Sequence, residues 1–215
     1  MKISVELHNK KKSILSAMQR DRLPHWQLWR GLANYYIPRR YTWLLSGTEA
    51  SVRNAKNPYI LDGTGTMAAR TLASGMMNGI TSPSRPWFRL RVPGFDDDAE
   101  SDVRIWLDEV ARRMLLVMAE SNFYNGIAVM YLDLGIFGTA AMLIYEDFES
   151  VIRCYNPNLG EFYIAQSDRL QVNTFAREFV YKVHQVEARW GRDDLSETLK
   201  NKCKMGGAAP PRASL

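Results

Sequence analysis

Apolar residues recur at helical spacing along much of the first part of the chain. From Ser13 to Tyr36 they fall at steps of three and four, with a break expected near Pro24. Ser101–Glu120 repeats this spacing almost without interruption. Steps of three and four place apolar side chains on one helical face. The sequence therefore predicts two amphipathic helices, with Pro38 ending the first.

A third helix is predicted after Asp62, which is placed to act as its N-cap. Gly75 and Gly79 are four residues apart and share one face of this helix. Each glycine inside a helix costs about 1 kcal/mol relative to alanine. We therefore expect another backbone to pack closely against that face. The run is too short and too polar for a membrane-embedded GxxxG helix.

The hydrophobic period changes in the second part of the chain. A helix from Phe123 to Leu134 is predicted to stop at Gly135, and short strand-like runs separated by turn residues follow it. These runs are Thr139–Tyr145, Val151–Tyr155, Glu161–Ala165 and Val172–Arg177. They predict a meander of three or four antiparallel strands. A last helix, Tyr181–Trp190, is expected to end at Gly191.

The predicted fold class is α+β, in which N-terminal helices pack with a small antiparallel β meander and a further helix follows. One module is expected over residues 1–199, with a helical subregion at 1–135 and a β-rich subregion at 136–199. Residues 200–215 hold paired glycines, paired prolines and few large apolar side chains. This composition is typical of a disordered tail.

Composition narrows the class of protein. The 215 residues are 46% hydrophobic and 24% charged, as in a soluble globular protein. A net charge of +5 permits contact with a polyanion without requiring it. No apolar run reaches membrane-spanning length and no signal peptide is evident. Cys154 and Cys203 are far apart, which predicts neither a metal site nor a disulfide framework.

The residues offer little support for catalysis. The segment Asp62–Thr66, DGTGT, lacks the remaining residues of a phosphate-binding loop. His8, His25 and His184 are widely separated and form no recognisable constellation. The acidic run Asp96–Asp98 is interpreted as a helix cap rather than as metal ligands. The sequence predicts no enzyme, no cofactor and no bound metal.

Arginine and aromatic residues are interleaved between Arg85 and Arg91. The pattern allows contact with nucleic acid through stacking and phosphate binding. It also fits a strand with Trp87 or Phe88 buried and Arg89 and Arg91 solvated, and this structural interpretation is the favoured one. The candidate DNA or subunit contacts are Arg39, Arg40, Arg85, Trp87, Arg89 and Arg91.

The segment Leu72–Leu90, LASGMMNGITSPSRPWFRL, closely resembles the head-to-tail connecting proteins, or portals, of podovirus-type tailed bacteriophages. Other stretches resemble this family in the same order along the chain. They are Trp26–Arg39, Ser121–Tyr124, Asp133–Ala140, Leu159–Ala165, Val172–Glu178 and Val186–Ser196. The resemblance covers about Arg20 to Leu199 and implies the N-terminal, wing-type part of a portal.

The family resemblance implies a virion component that is assembled in the bacterial cytoplasm. It implies a homo-oligomeric ring of about a dozen subunits at one capsid vertex. Double-stranded DNA is packaged and ejected through such a ring, which contacts the capsid, the terminase and the tail. Family members are usually more than twice this long, so a truncated or fragmentary copy is expected. The alternative hypothesis is an independent, basic nucleic-acid-binding module.

Overall fold

The computed structural model describes residues 5–38, 60–92, 101–181, 183–191, 195 and 212–214. The helices within these residues are α1 Val5–Tyr36, α2 Thr64–Ile80, α3 Ser101–Glu120, α4 Phe123–Phe137 and α5 Val183–Trp190. The strands are β1 Leu143–Asp147, β2 Val151–Tyr155, β3 Phe162–Gln166, β4 Val172–Val180 and β5 Arg212–Ser214. Helices and antiparallel strands in one chain confirm the α+β class.

The chain folds as two compact units. Unit 1 comprises Met1–Gln27 and Glu161–Leu215, and unit 2 comprises Leu28–Gly160. Helix α1 therefore supplies its longer N-terminal part to unit 1 and its last turns to unit 2. The expected boundary between the helical subregion 1–135 and the β-rich subregion 136–199 lies inside unit 2. The assignment of residues 1–199 to one module stays a prediction.

The strands form two small sheets rather than one continuous meander. Strands β1 and β2 pair in unit 2, and the sheet of unit 1 has the order β3-β4-β5. The two hairpins are joined by Asn156–Gly160, where the side chain of Pro157 is fully buried. Proline has no N–H to donate to a strand ladder, so pairing stops there.

The end of the chain differs from the sequence-based expectation at three residues. Arg212–Ser214, expected in a disordered tail, instead pair with Glu178–Val180 of β4. The other residues of the expected tail lie outside the described part of the chain.

Two predicted helix boundaries are wrong. Helix α1 begins at Val5 and continues through Pro24 without a break. Pro24 is exposed, so water can satisfy the carbonyl that loses its helical partner. Helix α4 continues past Gly135 to Phe137, and Gly138 caps it with φ 72° while its N–H donates to the Leu134 carbonyl at 3.0 Å. Left-handed φ favours glycine at this position.

A free backbone N–H at the start of α2 is hydrogen-bonded by the residue before the N-cap position. Gly63 occupies the cap position and has no side chain to accept a hydrogen bond. A carboxylate oxygen of Asp62 accepts a hydrogen bond from the Thr64 N–H at 3.0 Å. The prediction that Asp62 serves the start of this helix is confirmed, although the cap residue is Gly63.

Helices α2 and α4 and strand β2 enclose the core of unit 2. Its buried members are Ala73, Phe123, Ile127, Tyr131 and Cys154. The Tyr131 and Thr81 hydroxyls form a buried hydrogen bond of 3.1 Å. Burial raises the pKa of the Cys154 thiol, which favours the neutral form.

Asn122 joins the start of α4 to the edge of β2. Its side-chain Nδ2 donates to the Cys154 carbonyl at 2.8 Å, and its Oδ1 accepts from the Cys154 N–H at 2.7 Å. The amide thus replaces a neighbouring strand for one residue of β2. This pairing fixes the hairpin on the helical part of unit 2.

Arg22 lies at the centre of unit 1. Its Nη1 donates to the Phe162 carbonyl at 2.8 Å, and its guanidinium lies 4.6 Å from the Trp26 ring centroid and 4.8 Å from that of Tyr163. Burial lowers the pKa of Arg22 to about 10, an effect that Tyr163 and Glu178 oppose. The buried cation joins α1 to the β3-β4 hairpin.

Candidate interaction surfaces

Trp87 belongs to the core of unit 2. Its ring stacks on Phe123 with 6.3 Å between centroids and an interplanar angle of 4°. Its Nε1 donates to the Tyr124 hydroxyl at 3.3 Å. Phe88 packs edge-on against Trp87 at 4.9 Å. A tryptophan held by these contacts anchors the segment and is poorly placed to stack on a nucleic-acid base.

Arg85 caps the C-terminus of α2. Its Nη2 donates to the Asn78 carbonyl at 3.0 Å and to the Gly79 carbonyl at 3.4 Å. Basic side chains at a helix C-terminus satisfy free carbonyls and interact favourably with the helix dipole. Arg85 therefore stabilises the turn after α2, and binding a phosphate would compete with that role.

The side chains of Arg89 and Arg91 are exposed, like that of Arg85. They lie on either side of the half-buried Leu90, and the exposed Val92 follows them. Half-buried and exposed side chains therefore alternate from Phe88 to Arg91, as expected if the arginines are solvated and an aromatic ring is buried. Residues 86–92 nevertheless form no strand. This short run of backbone presents positive charge next to apolar surface.

The remaining candidate residues have different outcomes. Arg39 and Arg40 lie outside the described residues. A Cβ built on Gly75 or Gly79 meets no neighbouring atom within 4 Å, so the close packing expected at these glycines is absent within the described part of unit 2. Both glycines lie on the exposed side of α2, away from its buried Ala69 and Ala73. Close packing against another molecule there stays a prediction.

Two glycines of α4 are closely packed. A Cβ on Gly126 would approach the Asn156 Oδ1 to 2.9 Å, and one on Gly135 would approach the Leu72 Cδ2 to 2.9 Å. Such distances leave no room for a side chain without movement. Sequence reasoning missed both positions, because a glycine in an apolar run does not show which neighbour approaches it.

Helix α3 carries an apolar stripe that unit 2 covers only in part. Val103, Trp106, Val110 and Met114 follow one another at steps of three and four. Trp106 is 64% exposed, and Val103 and Met114 are also exposed, whereas Ala111 on the flank is buried. The sequence predicted the apolar face correctly but not its exposure. Large exposed apolar patches mark interaction surfaces.

The polar side of α3 is ordered by Glu109. Its carboxylate accepts two hydrogen bonds of 2.9 Å from Arg112 and one of 2.8 Å from Arg113. These hydrogen bonds lower the pKa of Glu109 to about 2. The ion pairs lie on the surface, so their effect on stability is small and sensitive to salt.

This pairing predicts a pH dependence. The pKa of Glu109 is lower in the folded chain than in the unfolded chain, so its stabilising contribution is present above the ordinary value of 4.5 and is lost as the pH falls towards 2. We expect an NMR titration of Glu109 to show a midpoint near 2. In an Arg112→Gln/Arg113→Gln variant the midpoint should return towards 4.5, and an unchanged midpoint would contradict the assignment.

Among the residues that the structure describes, no group of three or more His, Cys, Asp or Glu side chains could hold a metal ion. No helix in the same residues is long and apolar enough to cross a membrane. Asp96–Asp98 lie outside the described part of the chain.

Comparison with known proteins decides the family. The model of the family described as bacteriophage head to tail connecting protein matches residues 8–211. The chain belongs to this family. The resemblance seen in the Leu72–Leu90 segment is confirmed by this match.

Two relatives in the family carry portal names. The portal protein of Salmonella phage epsilon15 is 40% identical over 192 residues, which cover 89% of this chain and 34% of that protein. A probable portal protein of Bordetella phage BPP-1 is 39% identical over 175 residues, which cover 80% of this chain and 31% of that protein. This chain spans about one third of the length of these relatives.

Proposed function

We propose that this chain is the N-terminal part of a phage portal subunit. Its role would be to assemble with identical subunits into the ring through which double-stranded DNA enters and leaves the capsid. The observation that carries the proposal is the 40% identity to the epsilon15 portal protein across 89% of this chain. The contacts of such a ring with the capsid, the terminase and the tail belong to the same proposal.

The α3 stripe supports a role in assembly. Unit 2 has a well-packed core around Phe123, yet the stripe through Val103, Trp106 and Met114 is exposed. Association would remove these apolar side chains from water. An aromatic residue at the centre of an apolar patch is a typical anchor of a protein interface.

A direct test measures self-association of the chain. Sedimentation velocity over a concentration series and negative-stain images should show oligomers. Trp106→Ser should weaken association by about 30-fold, because an interface anchor contributes about 2 kcal/mol. Ile105→Ser is the matched control, because Ile105 is similarly exposed but lies outside the stripe. Monomers at every concentration, also when the remaining length of a portal is added, would contradict the proposal.

The alternative function, an independent nucleic-acid-binding module, has weaker support. It relied on four side chains, of which Trp87 is held in the core and Arg85 caps α2. Arg89 and Arg91 are exposed, and Arg85 is exposed too but donates to the carbonyls at the end of α2. Binding to DNA by the isolated chain that weakens with salt and is lost in an Arg89→Gln/Arg91→Gln variant would favour this alternative.

A further inference from the structure

The turn of the β1-β2 hairpin displays an aromatic side chain to solvent. Phe148, in the three-residue turn between β1 and β2, is 99% exposed. The carboxylate of Asp147 accepts hydrogen bonds from the Ser150 N–H at 3.1 Å and from the Ser150 hydroxyl at 2.7 Å. These bonds order the turn across its base. Phe148 is therefore presented by an organised turn and is covered by no described part of unit 2.

The backbone after this turn is strained. Val151 has φ 64°, in the left-handed region that a β-branched residue rarely adopts. Glycine is the usual residue at this position of a three-residue hairpin, because a side chain is unfavourable in this conformation. Val151 is 59% exposed, so it adds apolar surface next to Phe148 without filling the core. Strain of this kind is often associated with functional positions.

The turn is also acidic, in a chain whose net charge is +5. Glu146, Asp147 and Glu149 surround Phe148 in the sequence, against one guanidinium, that of Arg153. The hydrogen bonds from Ser150 lower the pKa of Asp147, and Arg153 acts in the same direction. The hairpin tip, defined as residues 146–151, thus combines an exposed ring with negative charge.

We propose that the hairpin tip docks on a second copy of this chain, against the segment Arg89–Val92. That segment offers two exposed arginines and the exposed Val92, which complement the charge and the apolar ring of the tip. The acceptor belongs to another copy, because Phe148 is almost fully exposed within its own. The proposal rests on the self-association proposed above.

The symmetry of this contact suits a ring. The tip and the acceptor are different parts of unit 2, so one contact leaves a free acceptor on one copy and a free tip on the other. Such heterologous contacts propagate and close when the rotation between copies allows it. A closed ring would cover every tip with the Arg89–Val92 segment of a neighbour.

Charge reversal provides the main test. We expect Glu146→Arg/Glu149→Arg and Arg89→Glu/Arg91→Glu each to weaken self-association in sedimentation velocity by about tenfold or more. Combining both pairs of reversals in one chain should restore much of the loss, because the opposite charges then face each other again. If the combined variant associates as weakly as either parent, the proposed pairing is wrong.

The aromatic ring is tested separately. Phe148→Ser should weaken association at both low and high salt, while circular dichroism should show an unchanged fold because the ring is 99% exposed. Leu170→Ser is the matched control: Leu170 is 80% exposed in the β3-β4 turn and also has positive φ, 57°. It should associate like the unmodified chain.

The outcomes separate this inference from the proposed function. Assembly that Phe148→Ser leaves unchanged overturns the hairpin contact but keeps the portal proposal. A chain that never associates contradicts both. If Arg89→Glu/Arg91→Glu abolishes DNA binding and leaves assembly intact, the arginines serve nucleic acid and the acceptor assignment is wrong. Protection of Phe148 in a monomeric, longer chain would show that the tip is covered from within the subunit.

Discussion

Replacing Phe123 with alanine is expected to lower the free energy of unfolding of unit 2 by about 3–5 kcal/mol. Phe123 is only 4% exposed and lies between the α2 and β2 sides of the core. Its ring also stacks on Trp87 and meets Tyr124 edge-on at 5.4 Å. Truncation would remove the buried ring and leave a cavity that the surrounding helices can fill only in part.

Denaturant unfolding followed by circular dichroism measures this loss. Leu134→Ala is the matched control, because Leu134 lies on the same helix and is exposed, so its loss should stay below about 1 kcal/mol. A similar loss in the two variants would contradict the assignment of Phe123 to the centre of the core. Phe123→Leu, which retains most of the volume, should fall between them.

A double-mutant cycle extends the test to Trp87. If the stacked rings interact, Phe123→Ala and Trp87→Ala should show a coupling free energy of about 1 kcal/mol. A tryptophan reserved for nucleic acid would instead be replaced without loss of stability. The cycle therefore separates the two interpretations that the Arg85–Arg91 pattern leaves open.

Local periodicity predicts the helices of this fold well, because the spacing of apolar residues that marks a helix can be read from consecutive residues. Ser101–Glu120 is predicted and observed with the same limits. The same spacing does not show whether an apolar face is covered by its own chain. Trp106 has the pattern of a core residue, yet it is 64% exposed.

Strand pairing and glycine roles depend on distant residues and were predicted less well. Each run of the predicted meander contains a strand, although β1 begins at Leu143 and not at Thr139. Strands β2 and β3 belong to different units. Gly75 and Gly79 have the spacing of a packing motif, whereas the close approaches occur at Gly126 and Gly135. Neighbours such as Asn156, thirty residues along the chain from Gly126, decide these positions.

The hairpin turns show a further limit of sequence reasoning. Val151 and Leu170 have positive φ, at positions where turn rules favour glycine or asparagine. Nothing in their residue type signals this conformation. The sequence pointed to the arginine segment as a candidate contact. The hairpin tip was recognised only from the structure, because nothing in the composition singles it out.

Replacing Arg22 with alanine should destabilise unit 1 by about 2–4 kcal/mol, because a buried acceptor loses its donor and two cation–π contacts disappear. The Phe162 carbonyl would lose the 2.8 Å hydrogen bond that joins α1 to β3. Arg22→Lys should recover only part of the loss, since an ammonium lacks the planar face that lies against Trp26 and Tyr163.

Arg20→Ala is the matched control for Arg22, because Arg20 lies on the same helix and is exposed, so its effect should stay within about 0.5 kcal/mol. Hydrogen exchange measured by mass spectrometry locates the effect: in Arg22→Ala the amides of β3 and β4 should exchange faster, while those around Phe123 should be unchanged.

The Arg22→Met variant separates the contribution of side-chain packing from that of the charge. If it is as stable as the unmodified chain, the stem packing of Arg22 carries its role and the buried charge contributes little net stability. Equal stability of the Arg22→Ala and Arg20→Ala variants would show that the buried guanidinium does not hold α1 on the hairpin.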